Sequence, residues 1–166
     1  MINKINKLSQ SEFIKVFANI FENSSWIALE LYKKKPFNNF ENLSTKMLDI
    51  FDRITKEKQL RIFKAHPDLA DKTKIDSLTP NSKKEQSNAG LDQCSKEEFV
   101  EFRNLNDKYK KKFGFPFIYA VKGKTKKEIL SNFRQRVSCD INVEFEEAKK
   151  QVKKIAGLRL NEINKK

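Results

Sequence analysis

Apolar residues recur at intervals of three and four along most of the chain, which is the spacing of one face of an α-helix. The first stripe runs from Phe13 to Phe21 and follows Ser9 and Glu12, which are spaced as in a helix-capping box. The same spacing, bounded by capping residues, Gly or Pro, predicts six further helices, at about residues 25–35, 44–54, 55–66, 95–109, 125–137 and 142–163. A seventh, at about 79–90, is predicted from its boundary residues Thr79, Pro80 and Gly90 alone. The pattern therefore predicts an all-α protein.

One apolar run does not fit a helix. It extends from Phe113 to Val121 and contains Gly114 and Pro116, both of which interrupt helices. We expect one short extended segment near Phe115–Val121, and no second strand is predicted to pair with it. Its backbone amides and carbonyls are therefore expected to be available to a ligand or partner.

The bulk composition is that of one globular domain. A chain of 166 residues with 14 Phe can bury a substantial core, and 4 Gly and 4 Pro are too few for the many turns of a sandwich or barrel. We expect a single compact domain, residues 1–166, of about seven to nine helices.

The net charge indicates which kinds of partner to expect. The net charge of +13 comes from 29 Lys and only 6 Arg, and the lysines are dispersed along the chain. Sequence-specific DNA readers rely more on Arg, so we expect no nucleic-acid partner, whereas the positive field favours a small anionic substrate. No run approaches about 18 apolar residues and the N-terminus lacks an apolar signal segment, so we expect no membrane contact and a cytoplasmic location.

The chain has a single histidine, His66. Histidine exchanges a proton near neutral pH, which makes it the natural candidate for acid–base chemistry, although a lone histidine at a helix end is often purely structural. Nineteen positions later comes Glu85, on a predicted helix where Ser82, Glu85 and Gln86 share one face. Cys94 and the second cysteine lie far apart in sequence with no Cys-x-x-Cys motif, so no metal site is expected.

Four runs in register carry a family resemblance. They are His66-Pro67-Asp68-Leu69-Ala70, the run from Leu78 to Asp92, Leu105-Asn106 through Ile118, and Lys154 to Leu160. In this order they closely resemble OHCU decarboxylase, the 2-oxo-4-hydroxy-4-carboxy-5-ureidoimidazoline decarboxylase of purine catabolism, over nearly the whole chain. The resemblance implies an all-helical, cofactor-free carboxy-lyase, usually a homodimer, that converts this purine-derived anion (OHCU) to (S)-allantoin and carbon dioxide in urate degradation.

The resemblance also implies roles for individual residues. His66 would be the proton donor or its orienting partner, and Glu85 would pair with the substrate hydroxyl. Arg159 matches an arginine that binds the substrate carboxylate. The other positions that match substrate-binding residues are Pro67, Ser82, Gln86 and the backbone of Phe117, Ile118, Tyr119, Ala120 and Val121.

Two other functions stay open at the level of sequence. Tyr119 is bulkier than the usual residue in the binding segment, and the 71–78 loop looks one residue short, which allows a related enzyme acting on another imidazoline or ureido acid. A basic helical binding module for nucleic acid or acidic protein is the second alternative. Taken singly, Ser82, Glu85 and Arg159 also have plain structural explanations as a cap, a surface acid and a surface residue.

Overall fold

A computed structural model describes residues 1–165, and this part of the chain contains nine α-helices, one 3-10 helix and no β-strand. The helices are α1 (Ile2–Lys7), α2 (Gln10–Phe17), α3 (Trp26–Tyr32), α4 (Phe40–Arg53), α5 (Lys56–Ala65), the 3-10 helix (Lys72–Ser77), α6 (Pro80–Asn88), α7 (Lys96–Phe113), α8 (Lys126–Arg136) and α9 (Ile141–Asn164). The all-α prediction is confirmed. Among the described helices, none is both long and apolar enough to cross a membrane.

Local capping chemistry sets where several helices begin. In each of the three predicted capping boxes, a Ser or Thr hydroxyl accepts a hydrogen bond from the amide three residues later, whose Glu side chain accepts from the cap amide. These boxes start α2, α7 and α8 with Ser9 and Glu12, Ser95 and Glu98, and Thr125 and Glu128, respectively. The three predicted helix starts are therefore confirmed.

Several predicted boundaries differ from the structure, and helix α1 and the 3-10 helix were not predicted. The first predicted helix ends at Phe17, although Ile20 and Phe21 beyond it are still buried. Helix α4 begins at Phe40, several residues before the predicted start, because the Asn39 side chain caps it. Helix α1 has only one buried residue and therefore too weak an apolar period to be recognised.

The chain folds into two compact units. Unit 1 comprises residues 1–65 and the chain from residue 153 onward. It holds α1 to α5 and the last part of α9, and its core contains close aromatic pairs. The Phe13 and Phe17 ring centroids are 4.6 Å apart, and those of Phe21 and Phe51 are 5.2 Å apart.

Unit 2 comprises residues 66–152 and holds the 3-10 helix, α6 to α8 and the first part of α9. Its core is built around Phe117 and Phe133, whose rings stack with centroids 3.8 Å apart, and around Tyr109, which meets both rings edge-on. The predicted extended segment lies in this unit. It follows Gly114, which ends α7 with a left-handed backbone at φ 78°, and residues 115–118 are buried.

Candidate active site

His66 directly follows α5, which ends at Ala65, one residue before the predicted end. Pro67 explains the boundary, because the residue before a proline is disfavoured in the α region. The imidazole is buried, with 9 % of the residue exposed, and Pro67 is half-buried. A buried histidine at a helix end is a suitable group for controlled proton transfer, provided that a partner acid and a substrate reach it.

The loop after the histidine is held by two helices of unit 2. The Ala70 amide donates to Oε1 of Gln86 at 3.0 Å, and Nε2 of Gln86 donates to the Asp68 carbonyl at 3.2 Å. Between these contacts, Nδ2 of Asn106 donates to the Leu69 carbonyl at 3.0 Å. Three consecutive residues are thus fixed by side chains from α6 and α7.

Two further features show how tightly this loop is constrained. Ala70 has a φ of 57°, in the left-handed region that a residue with a Cβ seldom adopts. The Asp68 carboxylate forms an ion pair with Lys110, with 2.6 Å between Oδ2 and Nζ. Side-chain bonds to Ala70 itself and to the two residues before it hold the conformation that its own preferences disfavour.

Helix α6 carries the predicted acid. Thr79 caps the helix and Pro80 occupies its first turn, as the sequence predicts. Ser82, Glu85 and Gln86 lie at i, i+3 and i+4, with Ser82 and Gln86 buried and Glu85 half-buried. Because Gln86 binds the loop that begins at the histidine, the structure brings that loop to the helix turn that bears Glu85.

The extended segment presents fewer open backbone groups than expected. Nη1 of Arg136 donates to the Ile118 carbonyl at 2.7 Å, and the Ala120 amide donates to Oε1 of Gln151 at 3.0 Å. The Val121 carbonyl accepts a hydrogen bond within the following turn. The expectation that this backbone is free for a ligand is therefore wrong for these three groups.

The side chains of the segment face mainly inward. The Phe117 ring is stacked in the core of unit 2, and Ile118, Ala120 and Val121 are buried. Tyr119 is half-buried, with its ring centroid 6.0 Å from that of Phe117. Ligand contacts by Phe117 would therefore use its backbone.

A buried polar cluster beneath this segment was not predicted. Glu144 is 1 % exposed and its Oε1 accepts from the Tyr109 hydroxyl at 2.5 Å and from Nε of Arg136 at 2.7 Å. Burial, together with the hydrogen bond to Glu144, raises the pKa of Tyr109 above its ordinary value, so the phenol stays protonated as a donor. One indication was present in the sequence. Arg136 is one of only six arginines beside 29 lysines, and Arg is the cation that buried ion pairs favour.

The two cysteines and the acidic side chains are also candidates as nucleophiles or metal ligands. Cys94 and Cys139 are free thiols, and burial raises the pKa of Cys94, which disfavours the nucleophilic thiolate. Across residues 1–165, no three His, Cys, Asp or Glu side chains are arranged to hold a metal ion. The acid–base roles expected for His66 and Glu85 stay predictions.

Arg159 lies in unit 1, on the last part of α9. Its side chain is buried, with Nη2 2.9 Å from Oε2 of Glu22 and Nη1 donating to the Asn19 carbonyl at 2.8 Å. The interpretation as a surface residue is therefore wrong. The guanidinium is pre-oriented by two protein oxygens, and its predicted contact with a substrate carboxylate stays a prediction.

We expect Glu22→Gln to destabilise the protein by about 3 kcal/mol, because removal of one partner leaves the other charge of a buried pair poorly compensated. Chemical denaturation of the variant and the wild type measures the difference. Glu30→Gln is the matched control, since the Glu30–Lys33 pair is exposed and its loss should change stability by less than about 1 kcal/mol. Equal stability of the Glu22 variant and the wild type would contradict the structural importance of this pair.

The chain is similar to a known protein family. A family model for OHCU decarboxylase matches residues 6–161. The 2-oxo-4-hydroxy-4-carboxy-5-ureidoimidazoline decarboxylase of Haloferax volcanii is 35% identical over 161 residues, covering 97% of this chain and 94% of the relative.

Two further matches extend the comparison. The uric acid degradation bifunctional protein of Bacillus sp. (strain TB-90) is 40% identical over 98% of this chain, which spans only 32% of that longer protein. A crystal structure of OHCU decarboxylase in the presence of (S)-allantoin superposes with a TM-score of 0.73 and 28% identity, covering 89% of this chain and 96% of that one. The chain belongs to the OHCU decarboxylase family.

Proposed function

We propose that this protein catalyses the decarboxylation of OHCU to (S)-allantoin in urate degradation, without a cofactor. Loss of carbon dioxide leaves an electron pair on the ring carbon, and the adjacent C=N bond of the substrate can accept it. The ring nitrogen that receives these electrons takes up a proton, which gives an enol. Protonation of the former C=N carbon on one face and loss of the hydroxyl proton then give allantoin. One proton is consumed overall, so the enzyme has to orient the substrate and deliver a proton to one face of that carbon.

In this proposal the acid–base groups are His66 and Glu85. His66 donates the proton or orients its donor, and Glu85 binds the substrate hydroxyl and takes up its proton. The substrate-binding set comprises Pro67, Ser82, Gln86, the backbone of residues 117–121, and Arg159 for the carboxylate. Gln86 acts in part through the loop that it holds, because both of its side-chain polar atoms bind that backbone.

The observation that carries the proposal is the double hydrogen bond between Gln86 and the backbone of residues 68 and 70. It connects the loop following the only histidine of the chain to the helix turn that bears Glu85. An imidazole and a carboxylate from separate parts of the sequence are thereby held in one unit. The similarity to a crystal structure of OHCU decarboxylase in the presence of (S)-allantoin supports the same reaction.

Three features of the assembly belong to the same proposal. We propose that the protein acts as a homodimer, that it works in the cytoplasm, and that both compact units form one catalytic domain. The match of a single family model to residues 6–161, which include parts of both units, supports the last point. The net charge of +13 supports an anionic substrate.

Purified protein is expected to accelerate the conversion of freshly generated OHCU to optically active allantoin. Because the uncatalysed reaction protonates either face equally, it yields a racemic product, and circular dichroism distinguishes the two. The control contains OHCU without the protein. A rate and optical activity equal to that control would refute the proposal, and turnover of other ureido acids alone would favour a related enzyme.

A further inference from the structure

The extended segment depends on side chains for its position. No β-strand exists among the described residues, so this segment has no strand ladder there. Instead, the Ile118 carbonyl is bound by Arg136 and the Ala120 amide by Gln151. The placement of its remaining backbone groups is therefore controlled by a few side-chain hydrogen bonds.

Arg136 makes three separate contacts at this point. Its Nη1 binds the Ile118 carbonyl at 2.7 Å, its Nε binds Glu144 at 2.7 Å, and its guanidinium carbon lies 4.5 Å from the centre of the Phe117 ring. The Tyr109 hydroxyl binds the same Glu144 oxygen and so fixes the carboxylate. A planar guanidinium can donate in two directions while stacking on an aromatic ring, which a lysine cannot do.

Stability alone does not account for this arrangement. Arg136 and Glu144 are 5 % and 1 % exposed, and a buried ion pair often stabilises a fold no better than apolar residues of similar size. The pair instead orients the extended segment, because Arg136 contacts its Ile118 carbonyl and its Phe117 ring. Precise orientation is what a binding surface made of backbone atoms requires.

We propose that Arg136 is a positioning residue for the reaction, which holds residues 117–121 in substrate-binding geometry through the Ile118 carbonyl and the Phe117 ring. This inference rests on the proposed function. Arg136 acts on the segment and not on the reacting atoms. Its loss therefore weakens binding of the substrate ring and ureido group, and affects the chemical step much less.

The test is steady-state kinetics of Arg136→Lys with freshly generated OHCU. We expect KM to rise about tenfold and kcat to change by less than about threefold, since a binding contact shared by ground and transition states affects KM. A purely structural defect would reduce the folded fraction and so lower the apparent kcat at constant KM. The nitrogen resonance of the Tyr119 amide, which shares a peptide group with the Ile118 carbonyl, should also shift.

Arg134→Gln is the matched control. Arg134 lies on the same helix in an exposed pair with Glu101, and its variant should keep the wild-type kcat and KM. If Arg136→Lys does not fold, Tyr109→Phe replaces it, because it removes one hydrogen bond from Glu144 and keeps the ring. Wild-type values of both KM and kcat in the folded variant would overturn the inference.

The design separates the two proposals. If the wild type does not accelerate the reaction, the proposed function fails and this inference fails with it. If the wild type is active and Arg136→Lys has the same KM and kcat, only the role of Arg136 is wrong.

Discussion

His66→Asn is expected to lower the rate of OHCU decarboxylation by about 10²- to 10⁴-fold while the protein stays folded. Asparagine can reproduce a hydrogen bond made by Nδ1, but its amide cannot donate and recover a proton near neutral pH. The buried position after α5 tolerates a slightly smaller polar group, so little unfolding is expected. The loss should therefore fall mainly on kcat.

The measurement compares initial rates for the wild type, His66→Asn and His66→Gln. Glutamine reaches the position of Nε2, so rescue by one amide and not the other identifies which nitrogen orients the substrate. Thermal unfolding of each variant checks the fold. Wild-type turnover in both variants would show that the only histidine of the chain has no catalytic role.

Glu85→Gln is expected to reduce turnover by about 10²- to 10⁴-fold. The amide has almost the same size and can still form hydrogen bonds, but it cannot accept the hydroxyl proton of the substrate as a carboxylate can. Glu85 is half-buried on α6, and the Gln86 contacts that hold the neighbouring loop are left in place. The substitution therefore separates the charge of residue 85 from the architecture around it.

Glu97→Gln provides the matched control for this variant. Glu97 is an exposed glutamate in the first turn of α7, and the loss of its charge should leave kcat and KM unchanged. A Glu85→Gln protein as active as this control would mean that the carboxylate is a surface acid. Both substitutions change the net charge of the protein by the same single unit, so a difference in activity between the two variants does not come from net charge.

Much of the local structure could be predicted because its causes lie within one or two helix turns. The capping box at Ser95 and Glu98 acts across three residues, and Pro67 ends α5 through contact with its immediate neighbour. The shared face of Ser82, Glu85 and Gln86 follows from helix geometry alone. These interactions have the same form wherever the segment is placed in the fold.

The start of α4 and the short helix α1 were missed for a related reason. Asn39 caps α4 from outside the apolar stripe, so the stripe itself does not mark the boundary. Helix α1 buries only Ile5, which provides almost no period to detect. Apolar spacing identifies the buried face of a helix more reliably than it identifies the ends.

Contacts between distant residues required the folded chain. Asn106 binds the backbone at Leu69, 37 positions away, and Tyr109 meets Glu144 across 35 positions. Arg136 is one of only six arginines, but no residue near it in the sequence indicates that it is buried against the Ile118 carbonyl. The Ile118 carbonyl and the Ala120 amide were expected to be available for the same reason, since their partners come from α8 and α9.

The amino-acid order alone was enough to predict most of the helices, three capping boxes and the break near Gly114, because propensity, capping and periodicity operate over a few positions. It also singled out His66 as the only histidine and placed Glu85 on one face with Ser82 and Gln86. The fold had to supply the Gln86 clamp on the loop after His66 and the buried Arg136–Glu144 pair. Such contacts exist only when separate segments pack together, and their stability comes from burial and charge pairing that a linear pattern does not encode.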